Sequence, residues 1–278
     1  MFPLAFALVA AVWEAYKWIG PVDGGSLLGV HVLPRTSDLA MPHVWEMISR
    51  LTEPEVRGNA DSVLVVVAAA TWYSFRVALL AFAAGTAFGV GLAVVMARFR
   101  TIERALMPYL VVSQTVPIIV LGPLILSLLA YASRDLATEA WVAAVLLGVF
   151  LAFFPVALGT LRGLKAAHPA SLELMDSYAA GWGTTLVKLR FPAAVPFIAP
   201  ALRVAAASAV VGVVVSEISL GVKHGVGRKI FAYGQEASSD PAKLYTAVFG
   251  AAALGLVMSV LVAGIDRRMM RNRPREVA

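Results

Sequence analysis

Few side chains in this sequence could do chemistry, and several of them lie inside long apolar segments. Glu217 interrupts the apolar segment 193–221, and Arg76 lies near the start of another one. An ionisable group inside a membrane is energetically costly, so it marks a functional position by default. Pro117 frees a backbone carbonyl and permits a bend in a third segment. The candidate residues for a pathway or a gate are Gln114, Pro117, Glu217 and Arg76. A structural ion pair of Glu217 and a packing kink at Pro117 are the alternatives.

Nucleophile, metal and phosphate chemistry have little support in the sequence. The chain has no cysteine, which excludes disulfides, thiolate metal sites and a cysteine nucleophile. Its four histidines are scattered without ligand spacing. The phosphate-cradling pattern G-x-x-x-x-G-K-[ST] is absent from the sequence. Asp135 and Glu139 are four residues apart near an outer loop, and we interpret them as solvated carboxylates. We therefore expect no catalytic residue, no metal site and no cofactor in this chain.

The composition is typical of a membrane protein. Hydrophobic residues make up 60% and charged residues 14% of the 278 residues, whereas soluble domains contain about 45–50% apolar and about 25% charged residues. The mean hydropathy is +0.80. The net charge of +6 comes from basic residues that cluster beside apolar segments. Membrane orientation therefore explains this charge better than nucleic acid binding does.

The apolar segments are long enough for helices that cross a bilayer, which needs ~20 mostly apolar residues per helix. We predict an all-α integral membrane protein with about six transmembrane helices. Their approximate bounds are Phe2–Ile19, Thr71–Ala97, Ala105–Tyr131, Trp141–Leu161, Ala193–Leu220 and Leu244–Ile265. The first segment has no basic region before it and no clear cleavage site after it, so we expect a retained span rather than a signal peptide.

The distribution of lysine and arginine predicts the orientation of these helices. The predicted parts of the chain are a first helix with an outer loop over 1–61, a core with five transmembrane helices over 62–265, and a basic tail over 266–278. Arg98, Lys165, Arg267 and their basic neighbours form the larger set, and this set lies nearer the span ends. Both termini and the polar segment 171–192 are therefore predicted to be cytoplasmic.

A pair of glycines in the second apolar segment predicts close helix packing. Gly85 and Gly89 form a GxxxG pattern, in which small residues let two helix backbones approach. We expect this packing within one chain, and a seam between two copies is the alternative.

The polar stretch ELMDSYAAGWGTTLVKLRFP, residues 173–192, lies between two of the most apolar regions of the chain. Apolar residues at helical spacing predict a short helix that Ser171 caps. Gly181 and Gly183 are predicted to end this helix in a tight turn before a second short helix. Such a pair of helices suits insertion into the groove of a partner protein, and a plain cytoplasmic loop is the alternative.

This stretch resembles the EAA loop of the membrane subunits of bacterial ABC importers. The family pattern is Glu-Ala-Ala, three residues, Gly, nine residues, Ile, one residue, and Leu-Pro. Laid on without a gap, it falls on Glu173, Leu174, Met175, Ala179, Leu189 and Phe191-Pro192. Ala179 stands where the family has glycine, and we expect Gly181 to compensate for that difference. The resemblance implies that this loop couples the chain to an ATPase.

Further motifs resemble the branch of this family that imports nitrate, sulfonates, taurine and thiamine or flavin precursors. They are Ser74-Phe75-Arg76, Gln114-Thr115-Val116-Pro117, Ser216-Glu217 and Gly225-Val226-Gly227. Each motif is weak by itself, but the ordered set covers most of the chain from Ser74 onward. The resemblance implies the permease fold of type I importers.

The resemblance also implies a function and a set of partners. The chain would be the membrane-spanning permease subunit of an ATP-driven importer in a bacterial cell membrane. Two ATPase subunits using ATP and Mg, an external solute-binding protein and a second permease copy would complete it. The implied cargo is a small solute, either an organic anion of the sulfonate or nitrate type or a cofactor precursor. The alternatives are a secondary transporter, which should show internal repeats, and a membrane enzyme, which should show clustered His, Asp or Glu.

Overall fold

The computed structural model describes residues 2–27, 30–56, 58, 61–132 and 136–270. Asp135 and the last residues of the predicted basic tail, 271–278, lie outside this described part. The chain divides into two compact units, one made of Met1–Tyr73 with His224–Ala253 and the other of Ser74–Lys223 with Leu254–Ala278. We call them unit 1 and unit 2.

Helices dominate the described residues, as the composition predicts. In chain order they are α1 (Phe2–Ile19), α2 (Val44–Arg50), α3 (Val63–Arg98), α4 (Arg100–Ser113), α5 (Ile118–Ala132), α6 (Leu136–Lys165), α7 (Pro169–Ser177), α8 (Trp182–Thr185), α9 (Phe191–Leu220), α10 (Val226–Gln235) and α11 (Pro241–Met270). A five-residue π-helical segment, Leu186–Arg190, joins α8 to α9. One antiparallel hairpin, β1 (Gly25–Leu27) with β2 (Val30–Leu33), follows α1.

Four described helices are long and apolar enough to cross a membrane, and the pair α4–α5 makes a fifth candidate if it counts as one broken span. The four are Val63–Arg98, Ala140–Lys165, Trp182–Leu220 and Pro241–Met269. Each of the five spans predicted between residues 62 and 265 therefore has a helical counterpart. The predicted first span forms helix α1 over the expected residues, but it is not among these candidates, so its role as a span stays a prediction.

The prediction of one continuous third helix over Ala105–Tyr131 is wrong. Helix α4 ends at the C-cap Gln114, and α5 begins at Ile118. The two helices meet at an angle of 105°. Pro117 lies in the break, lacks a backbone N–H, and disfavours helical geometry in the residue before it. The apolar pattern continues through the break, so hydropathy alone gave no sign of it.

Unit 2 is organised around the close approach of α6 and α9. A Cβ added to Gly212 would lie 2.9 Å from the Cα of Gly148, and one added to Gly163 would lie 2.7 Å from the Cα of Ala194. Because a Cβ at either position would lie too close to the other helix, the two backbones can approach this closely only where the residue is glycine. Glycine and alanine thus bring these apolar helices into contact from Gly148 to Gly163 of α6, as small residues do in membrane helix pairs.

The GxxxG pattern in α3 packs within the chain, which confirms the expectation from the sequence. A Cβ added to Gly85 would lie 2.8 Å from the Cβ of Ala152, and one added to Gly89 would lie 2.6 Å from the carbonyl oxygen of Phe153. Both glycines therefore face α6. One neighbouring cluster of buried hydrophobic residues in unit 2 consists of Ala93, Met96, Leu110, Phe153, Ala157 and Leu161.

Unit 1 contains a partly buried polar cluster that ties the segment after α2 to α10. Glu55 accepts hydrogen bonds from the Lys229 ammonium and the Tyr233 hydroxyl, each at 2.7 Å. Arg50 forms an ion pair with Asp240 at 2.7 Å. Burial alone would raise the pKa of Glu55, but the bonds from Lys229 and Tyr233 and the nearby positive charge lower it overall. The ionised form of Glu55 therefore stabilises this cluster.

We expect Gly212→Val to lower the free energy of unfolding by about 1–3 kcal/mol, because the added methyl groups would force α6 and α9 apart. Gly91→Val is the matched control, since a Cβ at Gly91 meets no atom within 4 Å. Thermal unfolding of the purified protein in mild detergent measures both. Equal losses in the two variants would contradict the close packing of α6 and α9.

We expect the stabilisation that Glu55 contributes to disappear on acidification. Since its pKa is lowered in the folded protein, this stabilisation is present above the ordinary glutamate pKa of about 4.3 and is lost as the pH falls through the folded value. Glu55→Gln should cost about 1–2 kcal/mol near pH 7 and much less near pH 3. A difference in melting temperature between wild type and variant that does not shrink with acid would contradict this assignment.

Candidate functional site

The polar segment predicted to dock a partner forms two short helices, as expected, but its first helix begins earlier. Helix α7 starts at Pro169, and His168 is its N-cap, with the Ala170 N–H donating to the His168 Nδ1 at 3.3 Å. The prediction that Ser171 caps this helix is therefore wrong. Proline at the first helical position loses no hydrogen bond and has its φ already fixed for a helix, which favours the earlier start.

Helix α7 ends in a left-handed turn at Ala179, whose φ is 51°. The Ala180 N–H donates to the Met175 carbonyl at 3.0 Å, and the Ala179 N–H donates to the Asp176 carbonyl at 2.9 Å. These two bonds define a Schellman motif, which usually has glycine at the left-handed position. The position where the EAA pattern has glycine is thus the position whose backbone favours glycine.

The expectation that Gly181 compensates for Ala179 is wrong. Gly181 has an ordinary φ of −63° and serves as the N-cap of α8. A Cβ added to Gly181 or Gly183 would meet no atom within 4 Å. Neither glycine relieves the left-handed backbone of Ala179. For a residue with a side chain, this conformation costs roughly 1–2 kcal/mol.

The second half of the segment continues into α9 without a loop. Helix α8, the π-helical segment and α9 together form one helical stretch of 39 residues, Trp182–Leu220. Leu189 lies half-buried in the π-helical segment, and Pro192 lies in the first turn of α9, where proline is tolerated. No loop therefore separates α8 from α9.

Two contacts hold this segment to its neighbours in unit 2, and a third holds the adjoining end of α6. The Arg98 guanidinium, at the end of α3, lies 5.2 Å from the ring centroid of Trp182, within the range of a cation–π contact. Arg190 Nη1 donates to the carbonyl of Leu164 in α6 at 3.3 Å. Lys165 forms an ion pair with Glu103 of α4. We did not foresee the contact of Arg98 with Trp182 from the sequence, although a tryptophan in so polar a stretch is a usable signal.

The outer face of α7 carries apolar side chains. Leu174 is 57% exposed and Tyr178 is 76% exposed, and their spacing of four residues places them on the same side of the helix. Glu173 is also exposed, and it forms no ion pair or side-chain hydrogen bond with the residues that the structure describes. Met175 is half-buried. An aromatic and an aliphatic side chain at the surface of a polar segment fit a protein interface.

The structure separates the four candidate pathway residues. Glu217 is fully buried in α9, where the Ser74 hydroxyl donates to its Oε1 at 2.6 Å. Arg203, on the same helix as Glu217, forms an ion pair with Asp266 of α11. Arg76 is exposed and has no ion pair within the described part of the chain. Glu217 is thus part of the packed interior of unit 2, and a role for it in a gate stays a prediction.

Gln114, by contrast, lines a groove of about 540 Å³ between α6 and α9. The other lining residues are Leu151, Phe154, Pro155, Leu158, Gly159, Arg162, Pro196, Phe197, Pro200, Ala201, Val204 and Ser208. Pro117 is not one of them, but the break that contains it positions Gln114 at the groove. No group of three or more histidine, aspartate or glutamate side chains that could hold a metal ion occurs in the residues described.

Residues 85–271 match the family model of the binding-protein-dependent transport system inner membrane component. The chain belongs to this family. It is a multi-pass inner-membrane protein and the non-catalytic permease component of a binding-protein-dependent ABC importer. An ATPase and a binding protein are the partners that such a system implies. Membership in the family removes the alternatives of a secondary transporter and a membrane enzyme.

Three similar proteins are named as permeases, and two of them are named for different solutes. It is 31% identical to a probable ABC transporter permease protein of Haemophilus influenzae over 51% of this chain and 55% of that protein, so the match spans about half of that relative. It is 28% identical to the formylaminopyrimidine transport permease protein ThiX of Halalkalibacterium halodurans over 68% of this chain and 71% of ThiX. It is 26% identical to SsuC of Bacillus subtilis, named for aliphatic sulfonates transport, over 70% of this chain and 67% of SsuC.

We expect Ala179→Gly to stabilise the turn after α7 by about 0.5–1 kcal/mol, because glycine relieves the left-handed strain at a smaller cost in chain entropy. Gly181→Ala is the control and should change little, since its backbone is ordinary and the space around it is open. Hydrogen exchange of the peptide that covers residues 175–182 measures the effect. Faster exchange in the Ala179→Gly variant would contradict the assignment of strain to this residue.

Proposed function

We propose that this permease forms the translocation pathway of an importer that contains two copies of it, two cytoplasmic ATPases and an external binding protein. ATP and Mg are used by the ATPases and not by this chain. The observation that carries the proposal is the exposed face of α7, with Leu174 and Tyr178, which a short turn joins to the continuous helical stretch Trp182–Leu220. We name residues 168–192 the coupling segment.

The composition of the coupling segment supports docking of an ATPase. Leu174 and Tyr178 offer a small apolar and aromatic patch, which is the kind of surface that anchors protein interfaces. Exposed Glu173 lies beside this patch and is available for a basic group of the partner. Helix capping within its own chain is not seen for Glu173 among the described contacts, since His168 caps α7.

The connection from the coupling segment to the spans supports a mechanical role. When the ATPases close on ATP, a docked α7 moves with them. Because α8 is continuous with α9, the movement tilts α9, and the contact of Arg98 with Trp182 passes part of it to α3. Coupling of this kind requires an element with two arrangements that the nucleotide biases. We assign this role to the coupling segment together with α6 and α9.

The orientation and cargo are part of the same proposal. Both termini are cytoplasmic, because the basic residues near the span ends collect on the side of the coupling segment. Two copies of the permease pair, as symmetric dimers are the commonest assemblies. The cargo is a small organic anion or a cofactor precursor, and relatives named for aliphatic sulfonates and for formylaminopyrimidine represent these two classes.

We expect Glu173→Arg to weaken association with the ATPase by at least fivefold while leaving the spans folded, since it reverses a charge at the docking face. Asp23→Arg is the matched control, because Asp23 is also an exposed carboxylate and lies in the predicted outer segment. Co-purification of the ATPase with each tagged variant in mild detergent measures the effect. An unchanged complex with Glu173→Arg would remove this residue from the docking surface.

A further inference from the structure

The groove between α6 and α9 has a directional arrangement of polar groups that the proposed docking function does not use. On α6 its lining residues recur at spacings of three and four from Leu151 to Arg162, so they share one helix face. Arg162 and Leu151 are about 16 Å apart along the helix axis at 1.5 Å per residue. The groove is thus an elongated trough, and its volume of about 540 Å³ lies within the range of small-molecule sites.

The charge of the groove is positive. Arg162 is the only charged residue of the described lining, and it forms no ion pair within the part of the chain that the structure covers. The Gln114 side chain adds an amide, whose one contact among the described residues is a long hydrogen bond of 3.4 Å from its Nε2 to the Ser113 hydroxyl. A solute with an acidic group is therefore complementary to the Arg162 end, and a cation is not.

Prolines of α6 and α9, the two helices that form the walls of the groove, leave backbone carbonyls free as hydrogen-bond acceptors. Pro155 has no N–H to donate to the carbonyl of Leu151, and Pro200 has none for the carbonyl of Pro196. Both members of each pair line the groove, and residues four apart lie on one helix face. Leu151 and Pro196, which carry the two freed carbonyls, are themselves lining residues of the groove. These carbonyls suit a solute with N–H donors, whereas nitrate and the sulfonate group itself offer acceptor oxygens only.

Aromatic side chains complete the lining. Phe154 comes from α6 and Phe197 comes from α9, so each wall contributes one ring, and Phe197 is 44% exposed. Rings in a groove favour flat partners that stack or pack edge-on against them. Cationic, apolar and acceptor groups are thus present together in one trough.

We propose that this groove is a cargo subsite for a planar heteroaromatic solute that carries ring N–H groups and an acidic edge. The acidic edge lies toward Arg162, the ring lies between the walls that carry Phe154 and Phe197, and ring N–H groups donate to the freed carbonyls. The inference rests on the proposed function, since it treats the groove as part of the import pathway. It narrows the cargo to one of the two classes named above.

Cysteine protection tests this inference, because the chain has no native cysteine. Leu158 lies four residues from both Phe154 and Arg162 and lines the groove. Leu158→Cys is labelled with a thiol reagent in the assembled permease–ATPase complex, with millimolar orotate, a planar pyrimidine carboxylate, or with methanesulfonate. Leu146→Cys is the control, since Leu146 is a leucine of the same helix, is 41% exposed and does not line the groove.

Orotate should slow the labelling of L158C at least fivefold, methanesulfonate should not, and L146C should respond to neither. Adding Arg162→Gln should abolish the protection, and adding Arg162→Lys should keep part of it. Equal protection by both anions, or by neither, would overturn the proposal. Spontaneous disulfide cross-linking of L158C between two copies would overturn it as well, because the groove would then be an interface. Loss of the ATPase from wild-type complexes would instead mark a failure of the proposed function.

Discussion

The close contact of α6 and α9 is the constraint on which the rest of unit 2 depends. Gly148 and Gly212 face each other, and Gly163 faces Ala194, so the two backbones are nearly in contact where side chains would otherwise separate them. The coupling segment is the chain that connects the ends of these two helices, and the groove is formed by their adjoining faces. Docking, transmission and the proposed cargo subsite therefore all rely on one helix pair.

Along α6 and α9, tightly packed backbone at the glycines alternates with irregular backbone at the prolines, and this alternation suits transport. The glycine contacts fix α6 against α9, whereas the prolines of the groove and the π-helical segment 186–190 interrupt regular hydrogen bonding nearby. Irregular backbone at membrane depth is tolerated where it is buried or lines a cavity. The break between α4 and α5 is a second example, since it brings Gln114 to the groove. These irregularities supply the polar groups of an otherwise apolar surface.

Much of this fold could be predicted because span length and apolar content are strong signals. The helices over the predicted core spans exist, and the segment that resembles the EAA loop forms two short helices, as predicted. The break at Gln114–Pro117 was missed because proline is often absorbed as a kink in membrane helices. His168 was missed as a cap because its side chain is a less common N-cap than serine. The left-handed Ala179 could have been inferred, since the family's glycine stands there for a backbone reason. Trp182 stood out in its polar stretch, but identifying Arg98 of α3 as its partner needed three-dimensional information.

The central claim is that the coupling segment joins this permease to an ATPase, and co-purification tests it most directly. The tagged chain would be extracted in mild detergent, its partners identified by mass spectrometry, and ATP turnover measured on the same sample. We predict a nucleotide-binding protein in the complex, with ATP turnover that the chain alone does not have. Recovery of the chain alone, without ATP turnover even under gentler extraction, would contradict the account.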